Sequence, residues 1–191
     1  MTTMVSPRSR QSIASQAKRL TVRFPELRQN SSVLDVEYLF DVILPGEYGI
    51  KTEYADLSRR FPGKNVLGFT DPENKECLID AALYEDISTS GRRRFRATVG
   101  HEAGHCLLHV RDREISSSVS VGGRGFFRAK RKDIPAYRDP EWQAWEYGDE
   151  LLMPQDQLAA QVKSGKSLFE LAEFFDVNPK YVETRMRKLK I

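Results

Sequence analysis

The feature that most constrains this 191-residue chain is the stretch RFRATVGHEAGHCLLHV, which holds its three histidines, His101, His105 and His109. The stretch is typical of a long helix, which we predict over roughly residues 91–110. Residues four apart on a helix lie nearly one above the other, so His101 and His105 point the same way at a spacing that suits one tetrahedral metal ion. Because two imidazoles do not complete a zinc site, the fold must bring a third protein ligand to this face.

Glu102 lies between the first two histidines, offset from His101 by about 100° around the helix axis. From that position a carboxylate can reach a metal-bound water without ligating the ion, which is the physical content of the HExxH motif. Zinc lowers the pKa of its water to about 7, and a nearby carboxylate then takes the proton as the water attacks a carbonyl. We therefore predict a zinc site with Glu102 as the catalytic base. The alternative is a pair of ordinary surface or core histidines.

Three residues are candidates for the third ligand, and the spacing leaves all of them open. His109 lies two turns beyond His101 on a helix that does not break, so we favour a supporting or helix-capping role for it. Cys77, in KECLIDAA, is more typical of a buried strand residue. Glu141 opens EWQAWEYGDELLMP, where Asp139 and the proline after it mark a helix start.

Small residues favour Glu141 as the ligand. Gly104 lies on the histidine face of its helix, and Ala144 and Gly148 share one face of the helix that Glu141 begins. Two such faces can pack closely and would bring Glu141 to the histidines. The alternative is a solvated glutamate that the helix dipole favours in the first turn.

The composition describes a soluble globular protein of the cytoplasm. Hydrophobic residues make up 40% of the chain and charged residues 30%, and no apolar run approaches the ~18 residues that span a bilayer. The two cysteines match neither a CxxC motif nor a secreted disulfide framework. A net charge of +3 is too small to indicate a nucleic-acid partner by itself.

We expect three parts in the chain. Residues 1–30 are predicted to be a flexible basic arm, residues 31–155 a catalytic domain, and residues 156–191 a helical C-terminal subdomain. A strand at IKTEYADL and a hairpin around Asp71–Asn74 predict a small sheet. The expected fold is α+β and zincin-like, with a small twisted sheet beside the HExxH helix.

At this point the sequence resembles the ImmA/IrrE family of zinc metallopeptidases. The resemblance is carried, in order, by RRRFRATVGHEAGHCLLH, EWQAWEYGDELLMP and SLFELAEFFDVNPKYVETRMRKL, and it covers roughly residues 33–191. It implies metal ligands at His101, His105 and Glu141, with Glu102 catalytic. It also implies cleavage of a specific protein partner, a transcriptional repressor that often has its own helix-turn-helix, in stress response or in the control of mobile elements.

The chain departs from that family at two places. The family usually has Asn or Asp where this chain has Trp145, and Phe-Ala where it has Tyr147 and Gly148. A polar residue at the first position could orient a metal-bound histidine, and a tryptophan cannot accept that hydrogen bond. We expect this to affect catalysis more than metal binding. Tyr137 and Tyr147 are the candidates for a second group that stabilises the oxyanion.

Two other segments leave a nucleic-acid role open, although we do not favour it. GRGFFRAKRK interleaves basic and aromatic residues, a pattern that suits binding of nucleic acid, recognition of an acidic protein substrate, or simple exposure to solvent. The tail from Leu168 has a helix-turn-helix-like pattern with a basic final helix, and we favour packing or partner docking over DNA binding. The rival function is a DNA-binding regulator whose metal site is structural or degenerate. Zinc is the expected cofactor, and manganese could take its place.

Overall fold

The computed structural model of the protein describes residues 2–29, 31–110, 128–129 and 134–191. The basic segment GRGFFRAKRK lies outside the described residues, apart from the backbone of residues 128 and 129.

Helices dominate the described part of the chain. Two π-helical segments continue α-helices: Leu39–Ile43 joins two short ones, and His105–Val110 extends a long one. The α-helices are α1 (Arg10–Arg23), α2 (Val36–Tyr38), α3 (Leu44–Tyr48), α4 (Leu57–Arg60), α5 (Ala81–Glu85), α6 (Thr89–Gly104), α7 (Pro140–Leu152), α8 (Gln155–Lys163), α9 (Leu168–Phe175) and α10 (Pro179–Leu189).

A small mixed sheet accompanies the helices. The strands are β1 (Thr2–Thr3), β2 (Lys51–Ala55), β3 (Gly68–Asp71), β4 (Glu76–Asp80) and β5 (Arg128–Ala129). The main sheet has the order β2-β4-β3, with β2 parallel and β3 antiparallel to β4, while β1 and β5 form a separate antiparallel pair. The predicted strand and hairpin are confirmed, and the fold is mixed α+β.

The HExxH helix is α6, and its predicted existence is confirmed. Ser88 caps it by accepting a hydrogen bond from the Gly91 amide, and the π-helical turns carry it on to Val110. Phe95, Val99 and other apolar side chains on its inner face belong to the core.

Helix α7 packs directly on α6 through small residues. A Cβ added to Gly104 would lie 2.6 Å from the carbonyl oxygen of Ala144, and one added to Gly148 would lie 2.8 Å from the carbonyl carbon of Gly100. Any larger side chain at these two glycines would force the backbones apart. The predicted close approach of the two helices is therefore confirmed.

The amino-terminal residues differ from the flexible arm that their composition suggests. Helix α1 buries Ile13, Ala17 and Leu20, which lie three and four residues apart and so form one helical face. Arg10 at its start donates to the buried Glu146 of α7, with Nε 2.7 Å from Oε2. Burial of these apolar side chains holds α1 against α7, although the basic composition of the segment gives no indication of it.

The C-terminal helices form as predicted, and basic residues of α10 turn inward. Arg185 is buried and donates to Glu150, and Lys188 Nζ lies 2.7 Å from Asp149 Oδ2. These cations neutralise acids of α7. This supports a packing role for the tail. Within the described ranges, the protein has no helix of the length and apolar character that a bilayer crossing requires.

Candidate metal centre

His101, His105 and Glu141 converge at the meeting of α6 and α7. Nε2 of His105 lies 3.2 Å from Nε2 of His101. The Glu141 carboxylate straddles the pair, with Oε2 3.4 Å from His101 Nε2 and Oε1 3.4 Å from His105 Nε2. The three residues that the sequence predicts as ligands are thus brought together.

These separations suit a metal ion. Two ligand atoms at the ~2.0–2.1 Å distance that zinc prefers, in tetrahedral geometry, are about 3.3 Å apart. One donor atom from each of the three residues lies within 4.8 Å of the others. Two imidazoles and one carboxylate leave a fourth position open, the composition of catalytic rather than structural zinc sites.

The position of Glu141 follows from the start of α7. Asp139 caps this helix by accepting a hydrogen bond from the Glu141 amide, at 3.0 Å, and Pro140 occupies the first turn, where its missing N–H costs nothing. The contact between Gly104 and Ala144 then brings the first turn of α7 onto the histidine face. Hydrogen bonds from His101 and His105 hold the pKa of Glu141 well below its usual range.

Glu102 is largely buried, with 6% of its surface exposed, and is held by the sheet. Thr70 in β3 donates its hydroxyl to Glu102 Oε2 at 2.6 Å. A Cβ on Gly68, in the same strand, would lie 2.7 Å from both Cγ and Oε1 of Glu102. Thr70 has no signature in the sequence, whereas a glycine within a predicted strand, as at Gly68, is a usable signal for the close approach of another group.

His109 is not placed as a ligand and supports His105 instead. Its Nδ1 lies 3.0 Å from Nδ1 of His105, and its Nε2 lies 3.2 Å from Oε1 of Gln143 in α7. The Gln143 amide donates in turn to the backbone carbonyls of Ser6 and Tyr137. Burial lowers the pKa of His109 to about 3, so this imidazole is neutral.

His101 has a different environment. Its ring lies against Trp145, with 4.3 Å between the ring centroids, and Trp145 also meets the ring of Tyr181 in α10. His101 Nδ1 is buried and has no hydrogen-bond partner among the described residues. The tryptophan at position 145 predicts that His101 lacks a polar partner, and none is present in the described part of the structure.

The remaining sequence candidates lie away from the ligand atoms. Tyr147 is buried among the apolar side chains of the core, where it has no part in the metal cluster. Tyr137 is half exposed and contributes its backbone carbonyl to Gln143. Cys77 is buried in β4 near Thr70, as its strand pattern indicates, and is not among the clustered ligands.

Comparison of the chain with models of known protein families and with curated proteins finds no match.

Proposed function

We propose that this protein is a zinc-dependent metallopeptidase with a zincin-like fold, which hydrolyses a peptide bond in a specific protein partner. The observation that carries the proposal is the cluster of His101, His105 and Glu141, together with Glu102, which directly follows His101 in the sequence. Metal ligands alone would fit a structural site. A buried carboxylate, oriented by a strand hydroxyl beside an open coordination position, supports hydrolysis.

His101, His105 and Glu141 would hold the ion, which supplies Lewis acidity and a water of lowered pKa. Glu102 accepts the proton of the attacking water and passes it to the departing amine. The hydrogen bond from Thr70 occupies one carboxylate oxygen of Glu102 and so limits its rotation. Gly68 leaves room for the carboxylate to reach this place.

The partner class rests on the resemblance to the ImmA/IrrE family. On that basis we propose a helix-turn-helix transcriptional repressor as the substrate, cleaved in the cytoplasm. The inward-facing Arg185 and Lys188 favour the protease over the DNA-binding alternative, because these cations of α10 already pair with acids of α7. A duplex-binding surface would need such charges at the surface to reach phosphates.

The test is incubation of the purified protein with the product of a neighbouring repressor gene, with zinc and with a chelator. Glu102→Gln should retain zinc and lower the cleavage rate by about 10²- to 10⁴-fold, the range for a lost general base. Glu53→Gln, which changes an exposed carboxylate of β2, should cleave at the wild-type rate. Cleavage by Glu102→Gln at the wild-type rate, or insensitivity to the chelator, would overturn the proposal.

A further inference from the structure

The hydrogen bonds behind His105 have a direction, and Gln143 sets it. The Gln143 side chain is fully buried, and its nitrogen lies 2.9 Å from the Ser6 carbonyl oxygen and 2.8 Å from the Tyr137 carbonyl oxygen. A backbone carbonyl only accepts hydrogen bonds, so the Gln143 nitrogen must be the donor to both. The opposite end of the amide, Oε1, is therefore an acceptor, and it points at His109.

The next group in line is His109, which is 5% exposed. Gln143 Oε1 can only accept, so His109 Nε2 must carry the hydrogen of the 3.2 Å contact. No carboxylate is hydrogen-bonded to His109 in the described part of the chain, and a buried ring without a counter-charge is neutral. A neutral imidazole has one ring hydrogen, which leaves His109 Nδ1 as an acceptor.

The same reasoning reaches the metal ligand. His109 Nδ1 accepts, so His105 Nδ1 must donate across the 3.0 Å that separates them. We propose that Gln143 and His109 act as positioning residues, which keep a hydrogen on Nδ1 of His105 and so leave Nε2 as the nitrogen that can bind an ion. Nε2 faces Glu141 and His101, so the inference rests on the metal site of the proposed function.

This relay prepares His105 before an ion arrives. An imidazole whose Nδ1 lacks hydrogen would have to change tautomer in order to ligate through Nε2, and outer partners of metal-bound histidines typically change metal affinity by about 10- to 100-fold when they are lost. The relay also extends to the amino-terminal segment, because the Ser6 carbonyl is one of the two groups that orient Gln143.

The first test uses the unmodified, zinc-free protein and long-range ¹H–¹⁵N correlation spectra of the histidine rings. We expect His109 with hydrogen on Nε2 and His105 with hydrogen on Nδ1. His105 without hydrogen on Nδ1, or His109 with hydrogen on Nδ1, would overturn the relay whether or not the protein binds zinc.

The second test compares two variants of α7. Gln143→Met keeps approximate side-chain length but can neither donate nor orient His109, so we expect mixed tautomers at His109 and a zinc dissociation constant raised about 10- to 100-fold. Leu151→Ala removes a buried core side chain from the same helix and controls for lost stability. It should unfold more easily while both tautomers stay as in the wild type. Tautomers that stay fixed in Gln143→Met would overturn the relay.

The two proposals fail separately. A protein with the expected tautomers but no zinc binding or cleavage would keep the relay and overturn the proposed function. A protein that binds zinc and cleaves its substrate, but has the other tautomers, would do the reverse.

Discussion

His105 and His101 lie one turn apart on the same helix and face the same carboxylate, yet they are supported in different ways. Behind His105 a hydrogen-bonded series runs through His109 and Gln143 to the backbone. Behind His101 there is the face of Trp145, and the buried Nδ1 has no hydrogen-bond partner in the described residues.

The difference shows what packing and hydrogen bonding each contribute to a ligand. An aromatic neighbour restricts the orientation of the His101 ring without selecting which nitrogen carries the hydrogen. The polar series restricts orientation and selects the tautomer of His105 as well. Helix α7 contributes to both supports, because its Gln143 contacts His109 and its Trp145 contacts His101.

The largest effect is expected when either histidine is removed, because the contrast between the supports of His101 and His105 then no longer matters. His101→Ala and His105→Ala should each lose stoichiometric zinc, because each deletes one of three protein ligands. Metal analysis of the purified variants measures this. Leu108→Ala, which removes a buried side chain from the same helical run, should keep its zinc despite lower stability. Full zinc content in either histidine variant would show that the predicted site is wrong.

The next effect separates the two supports. His109→Leu should weaken zinc binding by about 10- to 100-fold, because it removes the hydrogen-bond partner of His105. Trp145→Leu should weaken it by less than about tenfold, because no hydrogen bond to His101 is lost. Competition with a chromophoric chelator gives both constants. Equal losses in the two variants would remove the distinction drawn above.

A smaller effect concerns the base and leaves both ligands alone. Thr70→Val keeps the side-chain shape but loses the hydroxyl that donates to Glu102. We expect a cleavage rate about tenfold lower, equivalent to about 1.4 kcal/mol, with zinc affinity unchanged. Thr184→Val removes a hydroxyl that bonds to a helix carbonyl of α10 and should leave the rate as it is. A weakened zinc affinity in Thr70→Val would mean that β3 supports the ligands and not the base alone.

The smallest expected effect would make the two histidines alike. Trp145→Asp places an acceptor on the side of His101 where none is present, and we expect zinc to bind about fivefold more tightly, short of the 10- to 100-fold that established partners contribute. Trp145→Leu is the matched control for loss of the aromatic ring. An aspartate variant that binds zinc no better than the leucine variant would contradict the role we give to the missing partner.

Local spacing predicted much of this arrangement. The four-residue interval between His101 and His105 indicates a shared face, and the small residues Gly104 and Ala144 indicate a close helix contact, which the structure confirms. The predicted hairpin and C-terminal helices are also confirmed. They could be predicted because each depends on residues that are near one another in sequence. The zinc ion, the catalysis and the division into three parts stay predictions.

The missed features depend on contacts between distant segments. Thr70 contacts Glu102 because β3 packs against α6 at one position along the helix, and Gln143 contacts His109 because α7 does the same. No local sequence pattern encodes these positions. The packing of α1 was missed for a different reason. Its few apolar positions are spaced for a helix, but they are separated by basic and Ser/Thr residues whose overall composition is typical of a flexible segment.

Because the Ser6 carbonyl orients Gln143 and Arg10 donates to Glu146, residues 6–10 are held against α7, the helix that begins with Pro140 and Glu141. During synthesis α6 leaves the ribosome before α7, and the three clustered side chains come together only after α7 has formed. A nascent chain that stops short of Glu141 would offer only two adjacent imidazoles. Under the proposed function, metal uptake therefore has to follow the packing of residues 6–10 on α7.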